Sequence, residues 1–183
     1  NTSLPIMVYN NPIDYKIEVT PEMFEQLAKT PNIQAVKEST RDVTNVVRMR
    51  NRFGNRFSLL CGVDTLILEE LMLGADGVVG GLVDAFPAET VAIYKLAKAG
   101  MYKEALEIYK WFMPVLELDI HPKLVQNIKL AGVQTGLSTE YVRAPRLPLV
   151  GEERKRVLDI INKAIATRTQ LPDYLTLPVL QNA

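Results

Sequence analysis

One cysteine, Cys61, and one histidine, His121, are all the sequence holds of either residue. A lone thiol cannot close an internal disulfide, so a reducing cytoplasm is the expected location. With no second His or Cys, neither residue has partners for a metal site. His121, just before Pro122, reads instead as a surface or capping residue. Charge of one sign is equally missing. Twenty-one Lys and Arg balance twenty-one Asp and Glu, so no net field draws the chain to nucleic acid or to an anionic membrane. The longest apolar runs are a few residues, far below the roughly 20 a membrane span needs. The glycines of Gly77–Gly81 (GVVGG) fit neither GxGxxG nor GK[ST], which argues against a phosphate loop. Glycines there let the backbone approach a ligand or a neighbouring strand. No signal-peptide pattern is visible, and the first residue is Asn1 rather than Met, so further chain is expected before it.

What is present is an ordinary globular composition, 183 residues with 48% hydrophobic and 23% charged, long enough for one sizeable core. Apolar runs alternate with helical segments. Strands are expected at Leu4–Val8, Ile33–Val36, Phe57–Cys61 and Gly77–Val79. Thr20-Pro21-Glu22 starts a helix that runs to about Lys29, with Thr as N-cap and Pro in the first turn. Further helices are expected over Asp42–Phe53, Asp64–Leu73 and Ala88–Ala99, the first and last closed by Gly54 and Gly100. Beyond Gly100 the pattern is helical only: Tyr102–Phe112, Lys123–Ala131 and Glu152–Ala166, with the proline-rich Arg143–Leu149 (RAPRLPL) extended between the last two. Cys61, inside Leu59-Leu60-Cys61, reads as a small core residue. The aromatic-rich Tyr109–Met113 (YKWFM) reads as helix core or a subunit contact.

Strands that are continuous apolar runs joined by helices imply a parallel sheet buried on both faces. Four βα units fit half of an eight-stranded barrel or an open doubly wound sheet. A half-barrel alone leaves two strand edges unpaired and one sheet face uncovered.

In either fold the active site lies at the carboxyl ends of the strands. The first strand ends on Tyr9, the second on Lys37, and the third on Cys61-Gly62-Val63-Asp64. An ordinary lysine amine is protonated at neutral pH and no nucleophile. Desolvation favours the neutral amine, which attacks a ketone to form a Schiff base. The protonated imine is an electron sink for cleavage or formation of neighbouring bonds, and a phenol beside it shuttles protons. The competing reading is a lysine that snorkels to water. Glu38, next along the strand, points the other way and is expected to form an ion pair outside the pocket.

Tyr9-Asn10-Asn11-Pro12, Val36-Lys37-Glu38-Ser39, Gly62-Val63-Asp64 and Leu73-Gly74-Ala75-Asp76-Gly77-Val78 together resemble the dihydrodipicolinate synthase/N-acetylneuraminate lyase family, over nearly the whole chain. The resemblance implies a (β/α)8 TIM barrel, here its second half over residues 1–100, followed by a C-terminal helical extension over 101–183. It also implies a homotetramer and class I lysine Schiff-base chemistry with no metal or cofactor. Lys37 would be the imine-forming residue and Tyr9 the proton relay. Val79, with Gly80 beside it, falls where the family lines its substrate site with a backbone carbonyl. The family's carboxylate loop, a Gly-x-Thr-Gly-Glu stretch and a Thr-Thr or Ser-Thr pair, has no counterpart here, so a missing N-terminal half of the same barrel is expected.

Asp14 falls where dihydrodipicolinate synthases carry an arginine that holds the aldehyde substrate's carboxylate. Leu118-Asp119, Lys123–Lys129 and Arg143–Leu149 look similar to 1-pyrroline-4-hydroxy-2-carboxylate deaminases. The expected function is therefore a lyase on a 2-oxo acid or cyclic imino acid, first that deaminase, which yields 2,5-dioxopentanoate. The rivals are dihydrodipicolinate synthase and N-acetylneuraminate or 2-keto-3-deoxy sugar acid aldolases and dehydratases. Outside the enzyme class stands a non-catalytic ligand-binding relative.

Overall fold

Short apolar runs between helices build the sheet, and the computed structural model describes residues 2–178 of the chain. Two compact units divide it, 2–79 and 80–178. In the first, β1 (Ile6–Asn10), β2 (Ile33–Glu38), β3 (Ser58–Cys61) and β4 (Gly77–Val78) form one parallel sheet in the order β1-β2-β3-β4. A doubly wound sheet reverses its strand order at a switch point. An order that follows the chain without reversal is that of a barrel sector.

Local chemistry sets the helices. α1 (Pro12–Tyr15) is a single turn capped by Asn11, whose side chain accepts from the Asp14 amide. α2 (Pro21–Leu27) starts as expected, with Thr20 accepting from Met23 N at 3.4 Å. α3 (Thr44–Phe53) ends at Gly54. A 3-10 turn, Asp64–Leu66, leads into α4 (Ile67–Met72). Phe24, Phe53 and Phe57 pack edge to face, with centroids 5.6 to 6.4 Å apart. Such contacts add to what area burial alone provides.

Two arginines tie loops to the sheet. Arg56 donates to the carbonyls of Ala28, Thr30 and Ile33. Arg50 donates to Asp76 at 2.5 Å and to the carbonyls of Gly54, Phe57 and Gly74. Asp76 also accepts from Leu59 N, so this aspartate fixes the entry to β4.

The second unit is helical: α5 (Pro87–Lys98), α6 (Tyr102–Leu116), α7 (Leu124–Gln134) and α8 (Gly151–Ala166). α6 packs on α5 and α8, and α7 packs on α8. Tyr109 and Phe112 are buried and Trp111 stacks on Phe112, so the aromatic cluster belongs to the helix core. His121 Nδ1 accepts from Lys123 N, a capping contact at the start of α7.

Two expectations are corrected. β1 starts at Ile6 rather than Leu4 and runs past Tyr9 to Asn10, because both Tyr9 and Asn10 pair with β2. It lies at the edge of the described sheet and exposes Ile6 and Met7. α6 continues past Phe112 through Pro114, since Val115 and Leu116 lie fully buried in the next turn.

Candidate active site

Parallel pairing aligns residues in rows across the sheet. Tyr9 stands opposite Lys37, Lys37 opposite Leu60, and Leu60 opposite Gly77. The next row is Asn10, Glu38, Cys61 and Val78. Successive side chains of a strand point to opposite faces, so Tyr9 and Lys37 share one face while Glu38 and Cys61 share the other.

Lys37 Nζ lies 4.3 Å from the centroid of the Tyr9 ring. The ring's negative face attracts a cation in this geometry. Tyr15 meets the same ring edge-on, centroid to centroid 5.5 Å. The phenol oxygen accepts from Asn11 Nδ2 at 2.9 Å, and the same amide nitrogen donates to Asp14 Oδ2 at 2.7 Å. Tyr9 is 39% exposed and Lys37 half-buried.

Gly62 permits this arrangement. A Cβ there would stand 2.1 Å from Ser39 Oγ and 2.7 Å from Lys37 Cγ. Any larger residue would displace the lysine stem. The Gly62 amide donates to Glu38 O at 2.7 Å, and Ser39 N donates to Asn10 O, so the backbone on both sides of Lys37 is held.

The opposite face is acidic and closed. Glu38 is buried and, among the described residues, forms no ion pair; its carboxylate accepts from Thr40 N and Asn45 Nδ2, each at 2.7 Å. The expected ion pair outside the pocket is therefore replaced by a buried cap on the turn after β2. Burial raises its carboxyl above the ordinary range, with the Thr40 and Asn45 bonds opposing. Glu70 of α4 is fully buried, and neither carboxylate oxygen has a hydrogen-bond partner among the described residues. Burial pushes it up to about 8, with the neighbouring Cys61 thiol opposing and repulsion from Glu38 and Glu69 adding to the rise. Burial likewise lifts the Cys61 thiol well above its usual value. Cys61 is a core residue, as expected, and an unionised thiol is a poor nucleophile.

Val79 extends the line of β4, its amide donating to Cys61 O at 2.8 Å. Gly80 is half-buried and begins the second unit. Sequence reasoning missed Asn11, Asp14 as its partner, and the burial of Glu70. An Asn-Pro-x-Asp pattern, with an N-cap residue three positions before an acid, was the available signal for the first pair. Among the described residues no group of three His, Cys, Asp or Glu is placed to hold a metal. No helix among them is long and apolar enough to cross a membrane.

A sequentially ordered parallel sheet with a lysine and a phenol paired on one face of adjacent strands defines the class, a TIM-barrel sector with an amine-bearing rim. Residues 1–164 match the model of the Dihydrodipicolinate synthetase family, and the chain belongs to that family. The 4-hydroxy-tetrahydrodipicolinate synthase of Exiguobacterium sibiricum is 39% identical over 150 residues, 80% of this chain and 49% of the relative. The same-named protein of Escherichia coli strain HS is 31% identical over 159 residues, 86% of this chain and 54% of the relative. Among solved structures, dihydrodipicolinate synthase from Aquifex aeolicus superposes with a TM-score of 0.82 at 26% identity, over 88% of this chain and 56% of that one. The 4-hydroxy-tetrahydrodipicolinate synthase of Methylacidiphilum fumariolicum gives 0.79 at 29% identity, over 90% and 56%. The chain thus corresponds to about half of the barrel protein, and about half the length of the curated relatives it matches.

Proposed function

We propose that this chain carries the reacting half of a class I lyase active on a 2-oxo acid or a cyclic imino acid. The observation that carries the reading is the placement of Lys37 Nζ 4.3 Å over the Tyr9 ring, on neighbouring parallel strands. Lys37 attacks the carbonyl or imine carbon, and its nitrogen lone pair then expels water from an oxo acid, or the ring nitrogen of a cyclic imine as a tethered primary amine that hydrolysis later releases as ammonia, to form the protonated imine. Tyr9 gives the proton that makes the leaving group neutral. Val79 and Gly80 line the substrate with backbone groups. The proposal extends to a homotetramer in the cytoplasm, and to a preceding half-barrel that binds the substrate carboxylate.

The names of the relatives favour condensation of pyruvate with aspartate semialdehyde; none of them favours the pyrroline deaminase in particular. One observation supports that second reading. Asp14 Oδ2 accepts from Asn11 beside the Tyr9 hydroxyl, and a carboxylate there repels the carboxylate of an aldehyde substrate rather than holding it. The test is turnover by the full-length protein of each substrate set, pyruvate with aspartate semialdehyde against 1-pyrroline-4-hydroxy-2-carboxylate. Synthase activity lost in Lys37→Ala supports the first reading, and ammonia release lost in that variant supports the second. Turnover of either that survives Lys37→Ala defeats the mechanism.

A further inference from the structure

The second asparagine of Tyr9-Asn10-Asn11-Pro12 has both ends of its amide committed. Asn11 is only 6% exposed. Its Oδ1 accepts from Asp14 N at 3.2 Å, and its Nδ2 donates to Asp14 Oδ2 at 2.7 Å and to Tyr9 Oη at 2.9 Å. The direction of an asparagine amide is inferred from its hydrogen-bond partners, and here both partners on Asp14 agree. Reversing the amide would set Oδ1 against the Asp14 carboxylate and the NH2 group against the Asp14 N–H, losing both bonds. Asp14 therefore dictates that Asn11 turns its nitrogen, a pure donor, towards Tyr9.

We propose that Asn11 is the positioning residue of Tyr9, held by Asp14, and that it acts in the proton-transfer step of imine formation; this rests on the lyase reading above. Because Tyr9 Oη accepts from Asn11, its own O–H is free to point elsewhere. In dehydration of the carbinolamine on Lys37, the Tyr9 O–H proton goes to the departing hydroxyl, which leaves as water. The Lys37 nitrogen pair forms the C=N bond, and the phenol is left as phenolate until solvent returns the proton. The Asn11 N–H then faces a full negative charge. Hydrogen bonds to charged acceptors are roughly twice as strong as neutral ones, so the bond strengthens as the step proceeds, which is the condition for raising a rate. Tyr15, perpendicular to the ring, and Lys37 over its face restrict the phenol's remaining motion.

The test measures the rate at which borohydride-trappable imine forms from pyruvate on Lys37 of the full-length protein. Asn11→Ser keeps an oxygen to cap Asp14 N, but its hydroxyl sits one bond nearer the backbone and no longer brings a donor to Tyr9. The expected result is a 10- to 100-fold slower rate, the range for one lost charge-assisted hydrogen bond, with little change in the pyruvate concentration at half-saturation. Asp14→Ala, which keeps the backbone N–H, is expected to lose less. In a Tyr9→Phe background, Asn11→Ser should have no further effect, since coupled residues are non-additive. An equal loss in both backgrounds, or none in either, overturns the proposal while leaving the imine intact. Absence of any label on wild-type Lys37 overturns the lyase reading and this proposal with it.

Discussion

A lysine at a strand end has an ordinary use, carrying its charge to water along an apolar stem. Lys37 is placed otherwise, its amine over an aromatic face and its stem against a glycine that admits no side chain. The pairing of Lys37 with Tyr9 was legible in the sequence because strand ends can be read from apolar runs, and parallel strands align what ends them. The sequence did not reveal Gly62 as the residue that clears room for the lysine, since that requirement is one of distance across two strands. Gly62→Ala is predicted to cut imine formation at least 10-fold, more than its effect on unfolding accounts for, because the added methyl meets Lys37 Cγ and Ser39 Oγ. Parallel measurement of trapping rate and thermal unfolding checks this. A loss of stability with an unchanged trapping rate would show that the lysine stem tolerates the shift.

At the scale of elements, helix starts were readable where the chemistry is local. Thr20-Pro21 caps α2, and Gly54 closes α3. α1 escaped notice because Asn-Pro signals a break as readily as a cap, and one turn has no periodicity to detect. Glu38 was misread for a different reason. Alternation correctly sent it to the other face, but its partners, Thr40 N and Asn45, belong to the turn and helix that follow. Asp76 joins elements more directly, accepting from Leu59 N of β3 and from Arg50 of α3. Asp76→Ala removes the carboxylate that the Leu59 amide and the part-buried Arg50 share, leaving the guanidinium with carbonyl acceptors only. It should destabilise the fold by about 2 kcal/mol, measured as a shift in urea midpoint without a change of slope.

At the scale of the whole chain, the parallel order of four strands and the change to helices were legible in composition and period, and family membership agrees with them. The buried acid was not, because Glu70 looks like any helical glutamate until α4 is packed on the sheet. Its carboxyl is raised from 4.5 to about 8, first by burial. The folded state therefore keeps a proton that the unfolded state releases, and stability falls as pH rises between those two values. Glu38 is shifted in the same direction. Glu70→Gln should flatten much of this dependence and stabilise the protein at the upper end of the window by on the order of 2 kcal/mol. Unfolding followed across that range is the check, and a variant as pH-sensitive as the wild type would show that Glu70 ionises freely in the fold. The central claim concerns Lys37, and borohydride trapping tests it most directly. The full-length protein is incubated with pyruvate, reduced, digested and mapped by mass. The account predicts a substrate-dependent adduct on Lys37 that is absent in Lys37→Ala; an adduct on another lysine, or none with either pyruvate or 1-pyrroline-4-hydroxy-2-carboxylate, would contradict it.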